Sequence, residues 1–146
     1  MLKNTATVYG TIAKFFHWLM ALLIFGMFTV AYTMINIPAS HFSDVLFNLH
    51  KATGLLIFGL LILRLIWRFM NKTPKLPPSI PHWQRQCAKF NITALYLLML
   101  AMPLTGFFMS TLGNHAISFY GIFSVSPLAD NQLWSKFFAK AHEILA

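Results

Sequence analysis

The sequence predicts an all-α membrane protein: an up-down transmembrane helix bundle with three full helices and the start of a fourth. Three observations predict it. Of 146 residues, 58% are hydrophobic and 10% charged, with a mean hydropathy of +0.64, whereas a soluble domain carries about 25% charged residues. Three apolar stretches each approach the roughly 20 residues that a spanning helix needs. The basic residues gather in alternate connections between those stretches, as the positive-inside rule requires.

The first dozen or so residues read as a short polar lead. Helix one is expected over about 15–35. Its apolar run is longer than the core of a cleavable leader, and no small-x-small site follows it, so it reads as a helix that stays. Ile37-Pro38-Ala39-Ser40 ends it, because proline cannot continue the helical hydrogen bonding. Helix two is expected over about 47–69. Pro74, Pro77, Pro78 and Pro81 then make an extended linker with no room for a folded domain. Helix three is expected over about 91–112. Pro103 removes one of its backbone hydrogen bonds and predicts a kink near Gly106, which a packed bundle tolerates.

The segment 113–133 is a long outer loop with Gly113, Asn114, Gly121 and Pro127. Loops of this length often serve as lids or docking surfaces, while its aromatic residues equally suit an interfacial belt. A helical pattern resumes near Trp134 and runs to Ala146 with neither a polar cap nor spanning length. The expectation is one domain over 1–146 whose fourth helix is C-terminally incomplete. No internal repeat is present.

The net charge is +8. Lys3 and Lys14 precede helix one, and Arg64, Arg68, Lys72, Lys75, Arg85 and Lys89 flank the proline linker. Lys51, Lys136 and Lys140 fall on the opposite side with the three acids, Asp44, Asp130 and Glu143. The N-terminus and the linker are therefore expected to be cytoplasmic in an inner (plasma) membrane. The basic linker reads as a contact for anionic lipid, and nucleic acid is excluded as a partner. The single cysteine, Cys87, has no second thiol for a disulfide or a metal site and reads as incidental. No carboxylate pair, Ser–His–Asp set or glycine-rich phosphate loop offers hydrolytic or nucleotide-driven chemistry.

The candidate chemistry rests on histidines. His17 opens helix one, His50 lies near the start of helix two, and His142 lies in the fourth helical segment. Singly, each reads as an interfacial anchor; together they suggest iron held between helices, because a membrane-buried imidazole needs a partner. His17 and His50 begin antiparallel helices. Their levels differ by roughly 15–20 residues at about 1.5 Å each, so they cannot bind one iron. His50 and His142 fall at a similar outer level and suit the two axial positions of one haem, a ligation that leaves no open site and favours electron transfer. Gly54, one turn from His50, lets a flat macrocycle approach the backbone. Arg64 follows His50 by 14 residues. Steps of about 100° bring it within about 40° of the same face, roughly 21 Å deeper. It either meets a haem propionate or snorkels to the headgroups. His41 and His115 in outer loops and His82 in the linker read as solvated or interfacial, with His41 or His115 available to relay protons at a quinone site. The eight methionines read mostly as packing.

The motifs Ala13-Lys14-Phe15-Phe16-His17-Trp18, His50-Lys51-Ala52-Thr53-Gly54 and Arg64-Leu65-Ile66-Trp67-Arg68 follow one another in order. They continue through Tyr96, Met102-Pro103-Leu104-Thr105-Gly106, Phe119-Tyr120-Gly121 and Lys140-Ala141-His142-Glu143. This ordered set resembles the bacterial cytochrome b561 family over almost the whole chain. The resemblance implies a four-helix bundle with two b-type haems, with one ligand each from helices one and two and two from helix four. His17, His50 and His142 match; the partner of His17 would come about four turns beyond His142. Where many relatives have a histidine near the start of helix three, this chain has Asn91 and Ile92. The resemblance also implies electron transfer between ubiquinone or menaquinone and an outer-side redox partner, a protein or superoxide. The last case would make the chain a superoxide:quinone oxidoreductase of the respiratory membrane. The alternative is a haem-bearing membrane anchor subunit of a larger dehydrogenase or hydrogenase. Assembly with further copies of the chain stays open, and the almost purely apolar midplane disfavours a cofactor-free transporter. Lys51, Lys136 and Lys140 are expected near the outer haem, where their field would attract an anionic donor.

Overall fold

The computed structural model describes residues 1–146 as four helices and one short hairpin. α1 (Thr11–Asn36), α2 (His41–Met70) and α3 (His82–Leu112) contain 26, 30 and 31 residues and are long and apolar enough to cross a membrane. At about 1.5 Å per residue, each exceeds a hydrocarbon core of about 30 Å. β1 (Ile117–Phe119) and β2 (Phe123–Val125) pair antiparallel, and α4 (Gln132–Leu145) adds 14 residues.

Every long helix starts before its apolar run: α1 at Thr11 rather than 15, α2 at His41 rather than 47, α3 at His82 rather than 91. Polar first turns are invisible to a hydropathy pattern but are stabilised locally. At α2 the Ser40 hydroxyl accepts from the Ser43 amide at 3.2 Å and the Ser43 hydroxyl accepts from the Ser40 amide at 3.0 Å, a reciprocal cap. At α3 the Arg85 guanidinium donates to the carbonyls of Pro77, Pro78 and Ile80 at 3.1, 2.7 and 2.9 Å and fastens the proline turn onto the helix start. His41 and His82, expected in loops, are thus the first residues of α2 and α3.

The polar lead is built into the bundle. The Asn4 side chain donates to the Lys72 carbonyl at 2.9 Å, and the Lys75 amide donates to the Ala6 carbonyl at 2.9 Å. Lead and linker therefore lie at the same end of the bundle. Gly10 closes the lead against its own beginning: a Cβ there would strike the Leu2 and Lys3 backbone.

α1 packs on α2, α2 on α3 and α3 on α4, with β1 laid against α2. Met20, Ile57 and Leu61 are buried, and Leu65, Tyr96, Met99 and Leu100 pack around them. Only 11 of 146 residues are buried by the protein itself. That low number fits a bundle whose outer faces meet lipid, where helices associate by packing and hydrogen bonding rather than by exclusion of water. α3 runs unbroken through Pro103, and the Thr105 hydroxyl lies 2.9 Å from the carbonyls of both Ala101 and Met102. The carbonyl that Pro103 deprives of its usual donor is that of Met99, so the Thr105 contacts to Ala101 and Met102 are ordinary back-bonds within the helix.

Within the segment expected as loop, the hairpin turns at Tyr120 and Gly121, whose φ values are +49° and +77°. The Ile122 amide donates to the Phe119 carbonyl at 2.9 Å, and positive φ at both central residues suits a mirror-image turn. Strands of three residues are too short to show alternation in a sequence.

Candidate functional site

A cavity of about 1340 Å³ lies between the helices, lined mostly by hydrophobic side chains. That exceeds the roughly 300–1,000 Å³ of ordinary small-molecule pockets. All five residues singled out from the sequence line it: His17, His50, Gly54, Arg64 and His142. They come from α1, α2 and α4, so the site exists only once those helices are assembled.

His50 and His142 face each other with ring centroids 6.2 Å apart and ring planes 87° apart. Two metal–imidazole bonds of about 2 Å each, plus the distance from each nitrogen to its ring centre, add up to about 6 Å. The pair thus has the separation of two imidazoles on opposite sides of one metal. His142 Nδ1 lies 3.0 Å from the Met102 carbonyl and 3.0 Å from the Thr105 hydroxyl. His50 Nδ1 is buried without a hydrogen-bond partner. Gly54 offers the flat approach expected of it: a Cβ there would find only the Met27 side-chain end, at 3.9 Å. Gly106 presses closer, since its Cβ would stand 3.0 Å from His142 Cε1.

The part of the cavity lined by His17 is organised differently. The His17 ring packs edge-on against Trp18 at 5.5 Å between centroids. Arg64 points into the bundle, where its Nη1 lies 3.7 Å from the sulfur of Met20, one turn along α1 from His17. This places Arg64 at the level that helix geometry predicts. The guanidiniums of Arg64 and Arg68 both lie over the Tyr96 ring, 5.5 and 5.3 Å from its centre. Neither has a carboxylate partner, because the one ion pair of the fold joins Lys140 to Glu143 at 3.0 Å. Trp67 Nε1 is buried here without a partner as well. Two unpaired guanidiniums and an unpaired indole N–H in an apolar cavity match a ligand with carboxylates on an apolar body.

Of the three lysines expected near His50 and His142, Lys140 is offset by its own acid, Glu143. The reason is helical spacing of three residues, which puts both side chains on one face. Lys51 lines the cavity directly after His50 and has no carboxylate partner. His41, His82 and His115 do not line the cavity. Sequence reasoning assigned no role to Thr105, Met102, Tyr96 or Trp67. The available signal was the adjacent threonine and glycine in mid-helix, small positions that let a side chain of another helix approach the backbone.

The residues therefore fit a haem. Two imidazoles stand at axial separation, the cavity is large and apolar, glycines open the approaches, and cations without partners are in place for carboxylates. The comparisons point the same way. The family model described as prokaryotic cytochrome b561 matches residues 8–146. The chain is 34% identical over 148 residues to cytochrome b561 homolog 2 of Escherichia coli (strain K12), covering 98% of this chain and 77% of that protein. It is 33% identical over 78 residues to cytochrome b561 homolog 1 of the same organism, covering 53% of this chain and 44% of that protein.

Proposed function

The chain belongs to the prokaryotic cytochrome b561 family of membrane b-type cytochromes, and from that premise we propose that it carries electrons between a membrane quinone and a redox partner at the outer face of the inner membrane. The observation that carries this reading is the His50–His142 pair across the cavity. Haem iron bound by two imidazoles passes single electrons without opening a coordination position. In this reading 1–146 is one functional unit. His50 and His142 hold the outer haem, His17 supplies one ligand to an inner haem, and Gly54 admits the macrocycle. Arg64, seated on Tyr96, receives a propionate with Arg68 and Trp67 close by.

The N-terminus and the linker lie on the cytoplasmic side, supported by their shared end of the bundle and their lysines and arginines. Lys51 is the one of the three lysines that lines the cavity beside the outer pair, without a carboxylate partner, and it draws in an anionic donor. Superoxide suits this position. Two superoxide ions would give one electron each and leave as O₂, and a ubiquinone or menaquinone would take both electrons with two protons to become the quinol.

The test is a pyridine haemochrome assay with a reduced optical spectrum on the detergent-purified chain, followed by anaerobic mixing with quinol and with superoxide. Bound haem b with low-spin bands that exchanges electrons with both supports the reading. A folded, helical preparation that takes up no haem overturns it. Haem b that co-purifies with an iron–sulfur subunit and ignores superoxide would replace it with the anchor-subunit role.

A further inference from the structure

We infer that Thr105, acting with the Met102 carbonyl and the bare backbone of Gly106, is a positioning residue that makes His142 the stronger donor of an unequal pair. The inference rests on the haem reading of His50 and His142.

A carbonyl oxygen only accepts. The Met102 carbonyl lies 3.0 Å from His142 Nδ1, so in a neutral ring Nδ1 carries the proton. The Thr105 hydroxyl, also 3.0 Å from Nδ1, has one hydrogen, which it donates to the carbonyl of Ala101 or Met102, both 2.9 Å away. Its oxygen then accepts from Nδ1–H. Both neighbours demand the same tautomer, and Nε2 is left as the nitrogen with a free lone pair. Gly106 makes this approach physical. A Cβ at this position would lie 3.0 Å from Cε1 and 3.3 Å from Nδ1, so the ring would have to give way.

No protein group plays this part at His50 Nδ1, which is buried without a side-chain or backbone partner. A hydrogen bond from the far ring N–H to an acceptor fixes the orientation of a ligating imidazole and raises its basicity. A more basic imidazole favours the more highly charged ferric iron. The Met102-Pro103-Leu104-Thr105-Gly106 segment of α3 therefore sets both the angle of His142 and, through it, the potential of the outer centre. No catalytic contact is assigned to Thr105; it acts only through the ring.

The experiment compares wild type, Thr105→Val, Thr105→Ser and Gly106→Ala. Haem retention, the redox midpoint of the outer centre and its low-spin electron-paramagnetic signal are measured, with the ring ¹⁵N shifts of His142 in apo-protein. Thr105→Val is expected to raise the midpoint and to weaken haem retention roughly tenfold, the low end for loss of a supporting partner. A tenfold change in ferric over ferrous preference corresponds to about 59 mV. Thr105→Ser is expected to restore both, and Gly106→Ala to shift the signal by displacing the ring. Equal midpoints and signals in wild type and Thr105→Val overturn the inference while leaving the haem reading intact. If wild type takes up no haem, the haem reading fails, and the ¹⁵N shifts then test only the hold of Thr105 on the His142 ring. An Nδ1–H tautomer that Thr105→Val depletes supports it, and a tautomer ratio that does not change overturns it. If Thr105→Val does not fold, Gly106→Ala provides the same comparison.

Discussion

The hydroxyl of Thr53 and the phenol of Tyr120 lie 2.8 Å apart, although 67 residues separate them in the chain. Thr53 is buried on α2, three residues after His50, and Tyr120 sits in the hairpin turn. This bond, together with buried Ile117, holds the hairpin over the end of the cavity that His50 lines.

Tyr120→Phe would leave the Thr53 hydroxyl without that partner in a poorly solvated place. The expected loss is about 1–2 kcal/mol of local stability. Amide exchange in 117–125 would speed up, while the ring packing of Phe119 on Phe123, at 4.9 Å between centroids, would persist. Unchanged exchange in the hairpin would show that Ile117 alone holds it.

If His50 and His142 hold one haem between them, His50→Ala and His142→Ala are each expected to remove its low-spin bands, because a single imidazole would be left to bind it. His17→Ala is expected to leave those bands in place, since His17 lies in the second turn of α1, toward the end of the bundle that Arg64 occupies. Haem-to-protein ratio and the reduced spectrum of the three variants check this.

Arg64→Gln would take one of two guanidiniums from the Tyr96 ring and from the cavity. Haem content is expected to fall several-fold. Arg64→Lys should recover only part of it, because an ammonium lacks the planar fork that grips a carboxylate. Tyr96→Phe should be nearly silent, since it keeps the ring face that the guanidiniums cover. Haem content after a fixed wash in detergent measures all three.

Lys51→Gln is expected to slow reaction with an anionic donor and to flatten its dependence on ionic strength, because exposed fields are screened within about 10 Å at 0.1 M salt. Lys140→Gln should change little, as Glu143 already offsets that charge. Stopped-flow rates at two salt concentrations separate the two variants, and equal rates for wild type and Lys51→Gln would remove Lys51 from the steering role.

Gly10→Ala would drive a methyl into the Leu2 and Lys3 backbone. Overpacking of this kind costs about 1–3 kcal/mol. The lead should detach from the linker it bonds to at Lys72 and Lys75, visible as a lower melting temperature and as cleavage before Thr11 by added protease.

The three spanning helices were legible because in lipid every backbone polar group must be satisfied within its own segment, so a local apolar run suffices to specify a helix. The placement of His17, His50, Gly54 and Arg64 followed from the same regularity, since 1.5 Å and 100° per residue fix level and face within a helix. Helix starts were less legible. Those of α2 and α3 depend on Ser40 with Ser43 and on Arg85 with the proline carbonyls, polar contacts that no hydropathy pattern records. The hairpin was not legible at all, since Ile117–Phe119 is held by α2 and Phe123–Val125 by pairing with it, and neither shows alternation.

Tertiary structure alone decided which atoms meet. The sequence determined that His50 and His142 would share a level, but their 6.2 Å separation depends on how α3 carries α4 to a position facing α2. It could not reveal that Thr105 and Met102 hold His142 Nδ1 across 37 and 40 residues, that Tyr96 underlies two arginines, or that Glu143 offsets Lys140 while Lys51 stays free of a carboxylate. The physical reason is one of range. Burial in lipid and helical geometry act within a few residues along the chain, whereas hydrogen bonds between helices form only after rotation and depth have been set by packing.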